Sequence, residues 1–124
     1  MNYKKTKVGI IGLGYVGLPL LLLIKKKFET YGFDLSEEKI KLLKNNFSYI
    51  SDISNSELKK VNKKNIFSMT ELQNISNCNY IIFCLPTPLK KNAPDMSYVI
   101  SAFNKIYKYL NKNQTIVLES SVYP

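Results

Sequence analysis

The feature that most constrains this chain is the hexapeptide Gly12-Leu13-Gly14-Tyr15-Val16-Gly17, because of what stands on either side of it. Before it runs Lys7-Val8-Gly9-Ile10-Ile11, a short apolar and β-branched stretch of the kind that forms a strand buried on both faces. After it, from about Tyr15 to Lys27, comes a stretch that is apolar nearly all round and reads as a buried helix. Pro19 falls in or beside the first turn of that helix, where a missing N–H costs little. Glu29-Thr30-Tyr31-Gly32-Phe33-Asp34 then reads as a second strand, ending on an acid 22 residues after Gly12. A glycine-rich turn alone is weak evidence; set between a strand and a helix, and followed by a second strand closed by an acid, it is strong.

The rest of the chain continues the alternation. Ser36 reads as the N-cap of a helix with Glu37 and Glu38 in its first turn and Ile40, Leu43 and Phe47 on its apolar face. Residues 46–65 are polar and weakly patterned, mostly loop, with a short helix from Glu57 to Val61. Ile66 to Met69 reads as a short strand, and Thr70 with Gln73 has capping-box spacing for another short helix. Asn79 to Leu85 is a strongly apolar strand stopped by Pro86-Thr87-Pro88. After a loop through Lys90 to Pro94, Asp95 caps a helix whose buried stripe is Val99, Phe103, Ile106 and Leu110, and Gln114 to Glu119 is the last strand.

Strands alternating with helices imply βαβ units, and hence α/β architecture with a parallel sheet covered on both faces. We expect a doubly wound, Rossmann-type sheet of about five strands in the order 3-2-1-4-5. It forms one domain over residues 1–124, a length that buries roughly 65% of the unfolded surface.

In such a sheet the turn at residues 12–17 has a specific use. Gly12 permits the tight passage from strand to helix, Gly14 lets the backbone approach a pyrophosphate, and Gly17 allows helix and strand to pack closely. With Leu13, Tyr15 and Val16 these residues form a turn whose free helix amides favour an anion by up to about 2 kcal/mol. Asp34 is suited to accept hydrogen bonds from the adenosine ribose hydroxyls of a dinucleotide. The same carboxylate repels a 2′-phosphate, two unit charges 4 Å apart interacting by roughly 4 kcal/mol at an effective dielectric of 20. NAD rather than NADP is therefore the expected cofactor. Strand ends at Gly12, Leu85 and Ser120 should open on one edge, with Pro86, Thr87 and the hydroxyls of Ser120 and Ser121 at the crevice where strand order reverses.

Composition narrows the function classes. The chain carries a net charge of +9, yet all eighteen basic residues are lysine and they are scattered, with thirteen asparagines among them. Arginine's planar fork, the usual reader of phosphate and guanine, is missing, so we expect a solvated basic surface and no nucleic-acid partner. The longest apolar stretch, Leu18 to Ile24, is far short of the about 20 residues needed to span a membrane. Met1 to Thr6 lacks the apolar region of a secretory signal, which points to the cytoplasm. With no histidine and only Cys78 and Cys84, neither a disulfide framework, a zinc site nor a histidine-activated nucleophile is expected.

Three segments together resemble the UDP-glucose/GDP-mannose dehydrogenase family: Val8 to Leu20, Cys84 to Leu89, and Leu118-Glu119-Ser120-Ser121-Val122-Tyr123-Pro124. Pro94 to Tyr98 and Ser48 to Ile53 look similar as well, so the likeness spans essentially the whole chain. The Pro-Thr-Pro-Leu and Glu-Ser-Ser-Val-Tyr-Pro forms look most like the branch acting on UDP-N-acetylhexosamines, which makes uronic acids for surface polysaccharides.

The resemblance implies oxidation of the sugar C6 alcohol to a carboxylate with two NAD molecules. It implies that Gly12, Gly14, Gly17 and Asp34 bind the dinucleotide, that Lys39 approaches its adenosine end, and that Thr87 contacts it near the switch point. Ser121 stands where the family usually carries threonine, its hydroxyl beside the nicotinamide and a catalytic water; serine lacks the methyl that restrains the rotamer. The family's nucleophilic cysteine, its dimer-forming helix and its sugar-nucleotide domain lie beyond the position of Pro124. A chain ending here is thus expected to hold NAD without turning over sugar, and the longer enzyme is expected to be a homodimer. Two other readings stay open at this point: the cofactor domain of another Rossmann dehydrogenase, and a basic, non-enzymatic interaction module.

Overall fold

A computed structural model describes residues 5–119 of the chain. Five parallel strands form the main sheet: β1 (Lys7–Ile11), β2 (Glu29–Phe33), β3 (Ile66–Phe67), β4 (Tyr80–Phe83) and β7 (Thr115–Leu118). Their spatial order is β3-β2-β1-β4-β7, so numbering the sheet strands one to five gives the expected 3-2-1-4-5. A separate antiparallel pair, β5 (Leu89–Lys90) with β6 (Ala93–Pro94), occupies the stretch read as loop. Its turn holds Lys91 and Asn92 at φ 52° and 66°; lacking glycine there, the sequence offered no hairpin signal.

Helices cover both faces of the sheet. On one face α1 (Gly17–Ile24) and α2 (Glu37–Lys44) pack with Val8 and Ile10 of β1. On the other, the 3₁₀ segment Met69–Asn77 and α4 (Ser97–Ile106) cover Ile11, Phe33, Ile81 and Phe83. α1 is shorter than expected, ending in a turn at Lys25–Lys27, and Leu23 on its outer side is exposed. Phe47 is also exposed, because the chain leaves α2 at Asn46, held at φ 62°, before the apolar stripe reaches it.

The stretch between α2 and β3 is more than loop. Ile50, Ile53, Leu58 and Val61 are buried in the first core, and Ser54 with Glu57 closes a capping box on the short α3 (Asn55–Leu58). A second capping box joins Ser68 and Glu71, not Thr70 and Gln73, which begins the 3₁₀ segment two residues earlier and confines β3 to two residues. In α4 the buried residues are Ala102 and Ile106, with Val99 and Phe103 packed alongside. Asp95 accepts from the Ser97 amide but does not cap α4 by side chain; Met96 holds that position.

β7 differs from its neighbours: each of its residues is exposed, Ile116, Val117 and Leu118 by 40%, 38% and 50%. Among the described residues it pairs with β4 alone. No helix among them is long and apolar enough to cross a membrane.

Candidate functional site at the carboxyl edge of the sheet

The ends of four strands converge at one edge because their registers are aligned. Ile11 pairs with Phe33 and Phe83, and Phe83 with Leu118, so the residues that follow lie side by side. Backbone bonds extend the alignment past the strands: Gly12 N–H donates to Phe33 O (2.8 Å), Cys84 N–H to Ile11 O (2.7 Å) and Glu119 N–H to Phe83 O (2.9 Å). A cleft of about 430 Å³ opens there, bounded by the glycine turn, the ends of β2, β4 and β7, and Tyr98 of α4.

The glycines differ in what surrounds them. Gly12 sits at φ 98°, in the left-handed region that side chains rarely adopt. A Cβ on Gly17 would stand 1.6 Å from the Gly12 carbonyl oxygen, so only glycine lets α1 start this close to the turn. Gly14 is the opposite case: a Cβ there would meet nothing within 4 Å, and the space beside it is the cleft. α1 itself begins without a side-chain cap and without an acid in its first turn, whereas α2 is capped by Ser36. Its opening amides therefore face a region suited to an exogenous anion.

Asp34 is buried, and both its carboxylate oxygens are engaged. Oδ2 accepts from the Leu13 N–H and Oδ1 from the Ser36 N–H, each at 2.8 Å. Each oxygen keeps a second lone pair, and the residue lines the cleft. Lys39, whose backbone N–H donates to Ser36 Oγ at 3.2 Å, lines it too, with its Nζ 5.7 Å from the centre of the Tyr49 ring.

Seven residues singled out in the sequence line the cleft: Gly12, Gly14, Tyr15, Val16, Asp34, Lys39 and Pro86. Leu13 and Gly17 are buried within the turn, and Thr87, next to Pro86 in the chain, is buried and does not line the cleft. Ser120 and Ser121 lie outside the described residues. Sequence reasoning left out Leu35, Ser36, Tyr98 and Glu119, which also line the cleft, and Tyr49, whose hydroxyl donates to the Leu13 carbonyl. Position just after β2 and β7 was the available signal for Leu35, Ser36 and Glu119; Tyr98 and Tyr49 lie in segments that share the family likeness, but no local pattern gave either a role.

Cys84 borders the cleft as a buried group. Burial, and then the negative Glu119, push its thiol up to about 11, and burial pushes Cys78 up to about 12, so both are neutral at physiological pH. Among the described residues no group of three or more histidine, cysteine or acidic side chains is placed to hold a metal.

Comparison with known proteins agrees with this geometry. Residues 6–124 match the model of the UDP-glucose/GDP-mannose dehydrogenase family, NAD binding domain. The chain is 36% identical to a UDP-N-acetyl-D-glucosamine 6-dehydrogenase of Pseudomonas aeruginosa, over 98% of its own length and 28% of the relative's. It is 34% identical to protein CapL of Staphylococcus aureus, over 94% of its own length and 27% of that protein. Its fold superposes on a UDP-D-ManNAc dehydrogenase structure from Pyrococcus horikoshii with a TM-score of 0.81 and 25% identity, covering 96% of this chain and 29% of that one. The chain thus spans under a third of the length of these relatives. An aligned strand edge, a glycine turn open at Gly14 and a family match over residues 6–124 lead to one identification: the chain belongs to the UDP-glucose/GDP-mannose dehydrogenase family, as its NAD-binding domain.

Proposed function

We propose that this domain serves a cytoplasmic, homodimeric UDP-N-acetylhexosamine 6-dehydrogenase, in which residues 1–124 bind NAD and the sugar site lies outside them. The observation that carries the cofactor reading is the open space at Gly14 beside an uncapped α1, with the buried Asp34 carboxylate across the same cleft. In this reading the amides from Gly14 to Gly17, those of Tyr15 and Val16 included, hold the diphosphate, while the amides of Gly12 and Leu13 are taken by the Phe33 carbonyl and Asp34 Oδ2 and shape the turn. Asp34 accepts from the adenosine ribose hydroxyls while keeping its bonds to Leu13 and Ser36. Lys39 lies at the adenosine end, and Pro86, Thr87 and Ser120 border the strand-order reversal. Ser121 is assigned the catalytic hydroxyl, holding a water beside the nicotinamide.

Bound NAD supplies the hydride acceptor. The protein's share is to fix that acceptor against the sheet edge, and the neutral Cys84 takes no part as a nucleophile. Oxidation needs donor and acceptor held together, so the domain alone binds NAD without oxidising sugar. The experiment is calorimetry with NAD and NADP, followed by incubation with NAD and UDP-N-acetylglucosamine or UDP-N-acetylmannosamine while absorbance reports NADH. Binding of NAD in preference to NADP, with no NADH formed, is the expected result. Folded protein giving no heat with millimolar NAD defeats the cofactor reading, and steady NADH formation defeats the division of labour.

A further inference from the structure

Leu13 is the one residue between the first two glycines of the turn, and it is held at both ends of its backbone. Its N–H donates to Asp34 Oδ2 at 2.8 Å, and its carbonyl accepts from the Tyr49 hydroxyl. The partners are remote in sequence, 21 and 36 residues away, and come from different elements: the end of β2 and the packed segment before α3. Gly12 and Gly14 flank the residue and have no side chains with which to fix their own torsions.

Peptide geometry gives the carbonyl bond its meaning. The Leu13 carbonyl and the Gly14 N–H belong to one planar trans unit, in which C=O and N–H point in opposite directions. A donor that fixes the Leu13 carbonyl on one side of this unit fixes the Gly14 N–H on the opposite side, and Gly14 is a residue of the cleft wall with open space around it. Tyr49 is itself held twice, by this bond at its hydroxyl and by the Lys39 ammonium over its ring.

We propose that Tyr49 is a positioning residue for the cofactor turn, orienting the Gly14 amide toward the diphosphate through its hydrogen bond to the Leu13 carbonyl. The proposal rests on the reading of this turn as the diphosphate seat. Burial, and the Asp34 charge after it, raise the phenol's pKa, so Tyr49 stays a donor at neutral pH. The 430 Å³ cleft thus has one wall set by a side chain that does not line it.

Tyr49→Phe removes the hydroxyl and keeps the ring under Lys39. Calorimetry is run at a temperature where both proteins are fully folded, with NAD, ADP-ribose and adenosine as ligands, and the Gly14 amide is followed by ¹⁵N NMR. We expect NAD and ADP-ribose to bind about fivefold more weakly, adenosine to change less than about twofold, and the Gly14 resonance to shift or broaden. A lower melting temperature with unchanged affinities and an unmoved Gly14 resonance makes Tyr49 merely structural and overturns the proposal. Wild-type protein that fails to bind NAD defeats the cofactor reading instead, so the two failures are separable. Should the variant fold poorly, the unmutated protein gives a second test. Its Tyr49 hydroxyl proton should exchange slowly, and more slowly still with NAD; exchange at the solvent rate in both states overturns the proposal.

Discussion

Gly14 and Gly17 are three residues apart in one turn, yet alanine at each should produce opposite phenotypes. At Gly17 the added carbon would stand 1.6 Å from the Gly12 carbonyl oxygen and 3.2 Å from Cys84 Cβ, so α1 must move off the turn. Overpacking of a tight contact costs about 3 kcal/mol at the upper end of its usual range. At roughly 4 °C per kcal/mol for a domain of this size, Gly17→Ala should melt about 12 °C below wild type. At Gly14 the carbon meets nothing within 4 Å and the backbone is outside the left-handed region, so the folded state has no contact to lose. Fewer unfolded conformations then favour folding by about 0.4–1 kcal/mol, and the melting temperature should hold or rise by up to about 4 °C. Affinity moves the other way. The new methyl occupies the approach a diphosphate needs, and losing the better part of one charge-assisted hydrogen bond, about 2 kcal/mol, weakens NAD binding about 30-fold. Thermal melting and calorimetry on the three proteins decide the matter. A Gly14→Ala protein that binds NAD like wild type, or a Gly17→Ala protein that melts with it, refutes the reasoning.

Other expectations follow from the same structure. Asp34→Ala strands the buried Leu13 N–H as well as the ribose, so melting should drop by about 8 °C, NAD affinity should fall at least about tenfold, and the expected preference for NAD over NADP should narrow; unchanged affinity for both removes Asp34 from ribose recognition. Cys78 is held protonated up to about 12 in the fold, against 9.0 for an ordinary thiol. Its contribution is therefore complete below pH 9 and lost between about 9 and 12, where only the unfolded chain ionises, at about 1.4 kcal/mol per pH unit. Urea unfolding at pH 8 and 10.5 should show that loss and Cys78→Ala should reduce it, whereas an equal slope in the variant assigns the loss elsewhere. Asn46 sits at φ 62° with its Oδ1 buried and unpartnered, so Asn46→Gly should raise stability by about 1 kcal/mol, read as a melting increase of about 4 °C.

The parts of the molecule legible in the sequence are those set by local pattern. The parallel sheet followed from alternation, its Rossmann-type order and the turn at residues 12–17 with Asp34 from the glycine spacing, because buried parallel strands and glycine turns are written within a few consecutive residues. What escaped depends on distance. Tyr49 acts 36 residues away, in a segment whose four buried aliphatics, Ile50, Ile53, Leu58 and Val61, keep no regular period. The hairpin at Leu89–Pro94 turns on Lys91 and Asn92, where glycine would have announced it. Ser68 outcompeted Thr70 as a cap because Glu71, not Gln73, reaches back to the Ser68 amide, at 3.3 Å.

Strand β7 leaves the cleft with two unequal sides. Val8, Ile10 and Phe33 anchor β1 and β2 almost completely, whereas every side chain from Thr115 to Leu118 is wet. Opening β7 exposes less new apolar surface per residue than opening β1, so its amides should exchange with deuterium at smaller opening free energies than those of β1. The β1–β2 side of the cleft is therefore the stiffer one and the Glu119 side the more compliant. Under the proposed reading, a dinucleotide laid across it would meet one half already shaped and one half that yields.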